Sequence, residues 1–474
     1  YLRIVKIDEN EEPECLFEIV DEWGTVQIDG NKLEFIVSPS DYDVFFVGGV
    51  KMYQIIDNQN PEEDVWFQIT SEEYPELCWL HDDIRDMQWV YTNGTELTIY
   101  TANDAGISAG MLEDGCNQNL DLWHWQQLFE SKVNGLDVTE FYGIGLFENE
   151  PSLIAGGCQD VSGMLFYNDQ WYNFYDGDGT ELVWDKKDPN IFYYNEMGSG
   201  KLLRTDDIGQ TRYPIFTLDQ NNLIIPMELD PYENDDVTTL YSGDKNLYEF
   251  IGVNNFSNTY SNLDPLEEFE NPITDIEAGA TNLPGNQTRF YVSTNKEYDG
   301  GGPYPGCLYR DMKEGLGFEN ISSNLPGCKN GFVSDIEVDP QSFYSLWVSF
   351  AGYSVGTQNE KIYYSSDKGT TWEDFSQGLP PGMPVYKIKY VEMNEEETFL
   401  LAATDVGVFK SGTEDADWHP INNNLPKSIV TDIEVNPKFN VIYASTYGRG
   451  LWKSPLFCNY TGESYDVTGH EIWM

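Results

Sequence analysis

An all-β fold, a β-propeller of four-stranded antiparallel blades, is what this 474-residue sequence predicts, and three observations predict it. Near-identical strand-like segments recur at Val333-Ser-Asp335-Ile-Glu337-Val-Asp-Pro340 and Val430-Thr-Asp432-Ile-Glu434-Val-Asn-Pro437, with an echo at Ile273-Thr-Asp275-Ile-Glu277. Loops carrying Leu-Pro recur at Leu325-Pro326, Leu379-Pro380 and Leu425-Pro426, their leucines 379 − 325 = 54 and 425 − 379 = 46 residues apart. A period of that size is one blade, about 40 to 50 residues. Helical periodicity is weak throughout, and short helices are expected only in loops such as 120–132.

The elements follow in order. Units run 33–70, 84–128, 141–175, 182–216, 223–260, 273–321, 333–375, 385–421 and 430–456, each an alternating strand, a Pro turn, a strand of small and aromatic residues, a Gly turn and two further strands. The Pro turns are Ser38-Pro39, Asp188-Pro189, Asp230-Pro231, Asp339-Pro340 and Asn436-Pro437, where fixed φ and a missing N–H suit a hairpin tip. Gly turns include Gly48-Gly49, Gly243-Asp244, Asp405-Val-Gly407 and Tyr447-Gly-Arg-Gly450. The last unit lacks an outer strand, and the stretch 23–28 reads as the strand that closes the ring, because unmet ends leave raw edges. The organisation expected is a propeller over 1–456, with a closing-strand region at 1–32 and blades at 33–456. Residues 457–474 are expected to be a linker or the start of a further domain. One ring of roughly eight to ten blades is expected, the alternative being parts of two tandem seven-bladed rings.

Composition narrows the function. Eighty-one Asp and Glu against 26 Lys and Arg give a formal charge of −55, so nucleic acid and anionic membranes are poor partners. Aromatics make up 15% of the chain, ample for a core and opposed to intrinsic disorder. No window reaches the roughly 18 apolar residues of a spanning helix. The chain starts at Tyr1, and any signal peptide is expected to have been removed or to lie upstream. Seven widely spaced cysteines contain no C-x-x-C pair, and Cys307 with Cys328 and Cys78 with Cys116 are the pairings to test if the protein is secreted. The four histidines, His81, His124, His419 and His470, are isolated from one another and from cysteine, which speaks against zinc.

Ser365-Ser-Asp367-Lys-Gly369-Thr-Thr371-Trp372 matches S-x-D-x-G-x-T-W and resembles the Asp box of bacterial-neuraminidase-type repeats. In such a turn Ser and Asp accept N–H groups, Gly supplies an unusual φ and Trp packs between blades. Degenerate copies occur at 204–211 and 411–418. More of the chain is similar to the extracellular propellers related to sortilin and the xyloglucan-cleaving endoglucanases, especially those of Bacteroidota surface proteins exported by type IX secretion. The similarity rests on His81-Asp-Asp-Ile-Arg-Asp-Met87, Asn103-Asp-Ala-Gly106, Phe141-Tyr-Gly-Ile144, Gly156-Gly-Cys-Gln-Asp160, Asp176-Gly-Asp-Gly179, Asp405-Val-Gly407 and Thr446-Tyr-Gly-Arg-Gly-Leu-Trp452. The resemblance implies secretion or surface display. The Arg-Ile-Pro motif of the sialidases is absent and the arginines are scattered, so a sialidase is not expected.

In a four-stranded blade the second-to-third and fourth-to-first connections open on one face and the Asp box on the other. His81, Asp82, Asp83, Asn103, Asp104, Gln159, Asp160, Asp176, Asp178, Asp405, Tyr447 and Arg449 are thereby expected on one face, the candidate ligand-binding mouth. Two chemistries compete there. Asp82 or Asp83 opposing Asp176 or Asp178 would supply paired carboxylates for glycoside hydrolysis. Asp176 and Asp178 beside glycines would alternatively hold calcium, the one cofactor the sequence suggests. The leading reading is a secreted or cell-surface module recognising carbohydrate or protein, part of a larger surface protein. A xyloglucanase-type endo-hydrolase and a self-associating unit of a surface layer or appendage are the alternatives.

Overall fold

Among the residues that the computed structural model of the chain describes, there are nine four-stranded antiparallel sheets, one for each sequence unit, and one two-stranded hairpin. The structure describes residues 2–6, 14–19, 34–39, 44–56, 65–68, 83–92, 96–103, 106–112 and 123–127. From 139 to 456 it describes all but 151, 161, 169, 176, 219–223, 232–236, 256–259, 261–262, 280–288, 296–306, 313–316, 330–331, 354–359, 395–396 and 423, and it includes 472–473. The chain divides into two compact units, 1–137 and 138–474.

The first unit holds the hairpin Leu2–Lys6 with Glu14–Ile19 and two sheets. One runs Glu34–Val37, Val44–Gly48, Met52–Ile56, Val65–Gln68; the other runs Asp86–Thr92, Glu96–Asn103, Gly106–Leu112, Trp123–Gln127. Phe46, Met52, Ile84, Met87 and Ile99 form their shared core. Where a short helix was expected within 120–132, the described residues form the outer strand Trp123–Gln127. Its pairing with Gly106–Leu112 completes the sheet, and an edge demand of that kind overrides local propensity.

The second unit holds seven blades. Their first strands are Phe141–Leu146, Gly179–Trp184, Met227–Leu229, Ile273–Gly279, Phe332–Val338, Val385–Asn394 and Val430–Asn436. Each packs beside the next, and the first packs against the seventh. Closure is made of named bonds: Glu140 bridges Tyr447, and the N–H groups of Gly448 and Gly450 both donate to Thr139 O at 3.2 and 3.1 Å. Asn436 Nδ2 donates to Glu148 O at 2.6 Å. The ring of this unit therefore closes with seven blades, as in the smaller-ring alternative, and the single ring of eight to ten gives way. The last blade does have an outer strand, Ile472–Trp473, drawn from the stretch expected to be a linker. The stretch 23–28, expected to close the ring, lies outside the described residues.

Pattern follows position. Second strands are covered on both faces by neighbouring blades, so they are runs of small and apolar residues such as Ile154–Cys158 and Val441–Thr446, every residue buried. Clusters between blades, for example Trp347, Phe375, Ile388, Leu400 and Trp418, are continuous from one sheet to the next. Helix is confined, among the described residues, to three short 3-10 turns, Ser322–Asn324, Pro326–Lys329 and Pro437–Phe439.

Candidate functional site

The turns of the second unit sort by face, since strand direction alternates within each blade. The turn from Ser365 to Trp372 joins a third strand to a fourth. Ser365 Oγ donates to Asp367 Oδ1 at 2.9 Å and accepts from Gly369 N at 2.8 Å, while Asp367 accepts from Thr371 N and Oγ1 at 2.8 and 2.7 Å. Some burial works to raise the Asp367 carboxyl, but the Thr371 bonds outweigh it and hold it below its ordinary value. Thr205, Asp207, Gly209 and Thr211 repeat the same bonds. These turns lie at the opposite end of the strands from the candidate mouth.

At that mouth the seam between first and seventh blades gathers Gln159, Asp160, Asp178 and Tyr447. Gln159 Oε1 accepts from the hydroxyl of Tyr142 at 2.8 Å and from the hydroxyl of Tyr447. Gln159 Nε2 donates to Asp160 Oδ2 at 3.2 Å, and Asp160 N donates to Asp178 Oδ1 at 2.7 Å. The Tyr142 and Tyr447 rings lie 6.2 Å apart. Local sequence makes this approach possible: a Cβ on Gly157 would sit 1.9 Å from Thr180 O, so only glycine lets the second strand lie against the entry to the next blade. Burial, then the carboxylates of Asp178, Asp160 and Glu140, push the Tyr142 hydroxyl up to about 12. It remains a donor across the physiological range. Arg449 is exposed in the same turn, its carbonyl accepting from Trp452 Nε1 at 2.8 Å.

A second station has the same plan. Asp405 begins the second-to-third connection of the sixth blade and accepts from Tyr386 Oη at 2.6 Å and from the Tyr353 hydroxyl. Tyr386 occupies in its first strand the place of Tyr142, each followed by a residue and an isoleucine, whereas other blades carry Thr274, Ser334 or Thr431 there. Tyr353, like Tyr447, comes from the preceding blade. Tyr142, Tyr353 and Tyr386 were not among the residues expected at the mouth; the signal for two of them was a tyrosine where the repeat has a small hydroxyl residue.

Asp83 and Asn103 belong to the first unit, where Asp83 N donates to Val50 O at 2.7 Å and buried Asn103 donates to Ser108 Oγ at 3.1 Å across its own hairpin. His81, Asp82, Asp104 and Asp176 lie outside the described residues. Among the described residues, no group of three or more His, Cys, Asp or Glu side chains is placed to hold a metal ion.

The repeat residues Asp and Glu of the first strands have a role that the sequence reading did not assign. Asp275, Asp335 and Asp432 each accept the N–H of the following blade's first strand, from Ile336, Ile388 and Ile144 at 2.7, 2.7 and 2.9 Å. Glu337 does the same for Tyr390 at 2.6 Å. Lys387 pairs with Asp335 at 3.0 Å and Lys389 with Glu434 at 3.6 Å, on the one first strand that carries lysines at these places. Burial, partly offset by Lys387, pushes Glu181 and Asp335 up to about 7. Burial works to lower Lys387, but Asp335, Asp275, Asp432 and Glu181 together raise it.

No family model matches the chain, and no curated protein does. Among solved structures it is similar to PorZ, an essential bacterial surface component of the type IX secretion system of Porphyromonas gingivalis. The match has 12% identity and a TM-score of 0.50 over 98% of this chain and 62% of that one. It also matches the extracellular domain of a putative one-component system from B. thetaiotaomicron, at 12% identity and a TM-score of 0.47, over 95% of this chain and 61% of that one. The chain thus spans about three fifths of the length of each, and the likeness is one of fold. No helix among the described residues is long and apolar enough to cross a membrane.

Proposed function

We propose that the chain is a cell-surface recognition module that binds a saccharide on the face formed by the second-to-third and fourth-to-first connections of the second unit. The observation that carries this reading is the clasp Tyr142–Gln159–Tyr447 beside Asp160 and Asp178, assembled across the seam of the ring. Carboxylates and an amide are the partners that sugar hydroxyls bond, and tyrosine rings offer faces for sugar C–H groups. A charge of −55 disfavours an anionic ligand. Surface placement agrees with what the fold neighbours are, a surface component and an extracellular domain.

The test is binding to a panel of neutral polysaccharides by affinity electrophoresis. Retardation by at least one, reduced about tenfold or more in Gln159→Ala and Tyr447→Ala, is expected; one lost anchor of ~1.4 kcal/mol corresponds to that factor. No retardation by any, with the protein folded, sinks the reading. Turnover of a β-glucan that disappears in Asp178→Asn would replace it with hydrolysis.

A further inference from the structure

Two stations on the same rim share one construction. At each, a tyrosine of the blade's own first strand and a tyrosine from the preceding blade both donate to the residue that opens the second-to-third connection: Tyr142 and Tyr447 to Gln159, Tyr386 and Tyr353 to Asp405. The acceptors belong to the first and sixth blades, with the seventh between them. Tyr353 is 75% exposed, the most open of the large hydrophobic side chains among the described residues. Its hydroxyl is nevertheless held by Asp405, and the carbonyl of Gly352, at φ +78°, accepts from Lys361 Nζ at 2.6 Å. An exposed aromatic ring fixed at both its tip and its backbone gives up little conformational freedom on binding. Because its hydroxyl is already satisfied, the ring face is what it presents to a partner.

We infer that the two tyrosine clasps are separate subsites for one extended, uncharged polysaccharide chain that runs along the rim across the seventh blade. This rests on the saccharide reading above and adds that the ligand is a polymer gripped at two points. Repetition is the argument: a single sugar needs one station, whereas a repeating ligand is met by a repeating site. The carboxylate at Asp405, with Asp160 and Asp178 at the other station, selects against acidic polymers by repulsion and accepts bonds from neutral sugar hydroxyls. Linking two weak contacts along one chain multiplies affinity, by ~10²-fold or more where the span fits.

The experiment compares neutral polysaccharides with their own oligosaccharide ladders by calorimetry. Wild type, Tyr353→Ala, Tyr353→Phe and Tyr447→Ala are used, with thermal melts checking that each folds. Affinity is expected to rise steeply, roughly 10²-fold, once a chain is long enough to reach both stations. Tyr353→Ala and Tyr447→Ala should each abolish that rise and leave short-chain binding at the intact station, while Tyr353→Phe keeps the ring and loses part of the gain. If short and long chains bind equally, or Tyr353→Ala keeps the length dependence, the two-station inference falls and the saccharide reading stands. If no saccharide binds, both fall. If a Lys- and Arg-rich peptide binds instead and Tyr353→Ala abolishes it, the site is a protein dock and the inference is overturned.

Discussion

Gly157 shows how much one residue decides here. Its missing side chain lets the second strand of the first blade lie on the backbone at Thr180, and that contact sets Gln159 and Asp160 over Asp178. Gly157→Ala places a carbon 1.9 Å from a carbonyl oxygen, which a rigid backbone meets only by shifting. A loss of about 3 kcal/mol in urea unfolding is expected, at the upper end of overpacking costs; an unchanged midpoint would remove the steric account of the seam. The Gly156-Gly157 pair was legible in the sequence as a motif. Its purpose was not, since the partner strand begins beyond a separate hairpin.

The turn Ser365-Ser-Asp367-Lys-Gly369-Thr-Thr371-Trp372 is the element whose chemistry the sequence showed most completely, because the bonds that Ser365, Asp367, Gly369 and Thr371 make to one another lie within seven residues. Gly369 has φ +78°, and a Cβ there would sit 2.5 Å from Ile321 Cδ1 of the preceding blade. Gly369→Ala is expected to cost about 1 to 3 kcal/mol. Asp367→Ala, which strips the bonds from Ser365 and Thr371, should cost a similar amount, about 1 to 3 kcal/mol. Both are measured by thermal unfolding, and saccharide binding by whatever still folds should be unaltered, since the turn is at the other end of the strands. Loss of binding in a folded Asp367→Ala protein would contradict that separation.

Across the whole ring, buried charge sets a pH dependence. Burial is the largest influence on Glu181, Asp335 and Glu337, each at about 7, on Glu228 at about 8 and on Asp275 at about 6, all far above an ordinary carboxyl. Because the folded state holds protons that the unfolded chain has released, stability is greatest at low pH and is lost as pH rises through 6 to 8. The melting temperature of the protein should accordingly fall from pH 5.5 to pH 8.5, and a rise over that interval would show that the carboxylates are not buried as described. Lys387→Met removes the partner 3.0 Å from Asp335, whose side chain is 1% exposed. Leaving that carboxylate unpaired is expected to cost about 3 to 5 kcal/mol at pH 8.5 and less at pH 5.5, where Asp335 takes up a proton. An equal penalty at both values would mean the lysine acts through packing alone.

By itself the sequence determined what is local and repeated: nine units, their Pro and Gly turns, the antiparallel order of their strands and the hydrogen-bonded turn at Ser365. Those features depend on side-chain periodicity and on residues that nearly touch along the chain. Only the tertiary structure decided that seven of the units close into one ring, that Ile472–Trp473 completes the last blade and that Tyr447 meets Gln159, 288 positions away. Closure is a sum of small rotations between packed blades, and no short stretch of sequence carries that sum. The same sum turned the repeated Asp and Glu of the first strands, which read as a periodic signature, into the bonds that join each blade to the next.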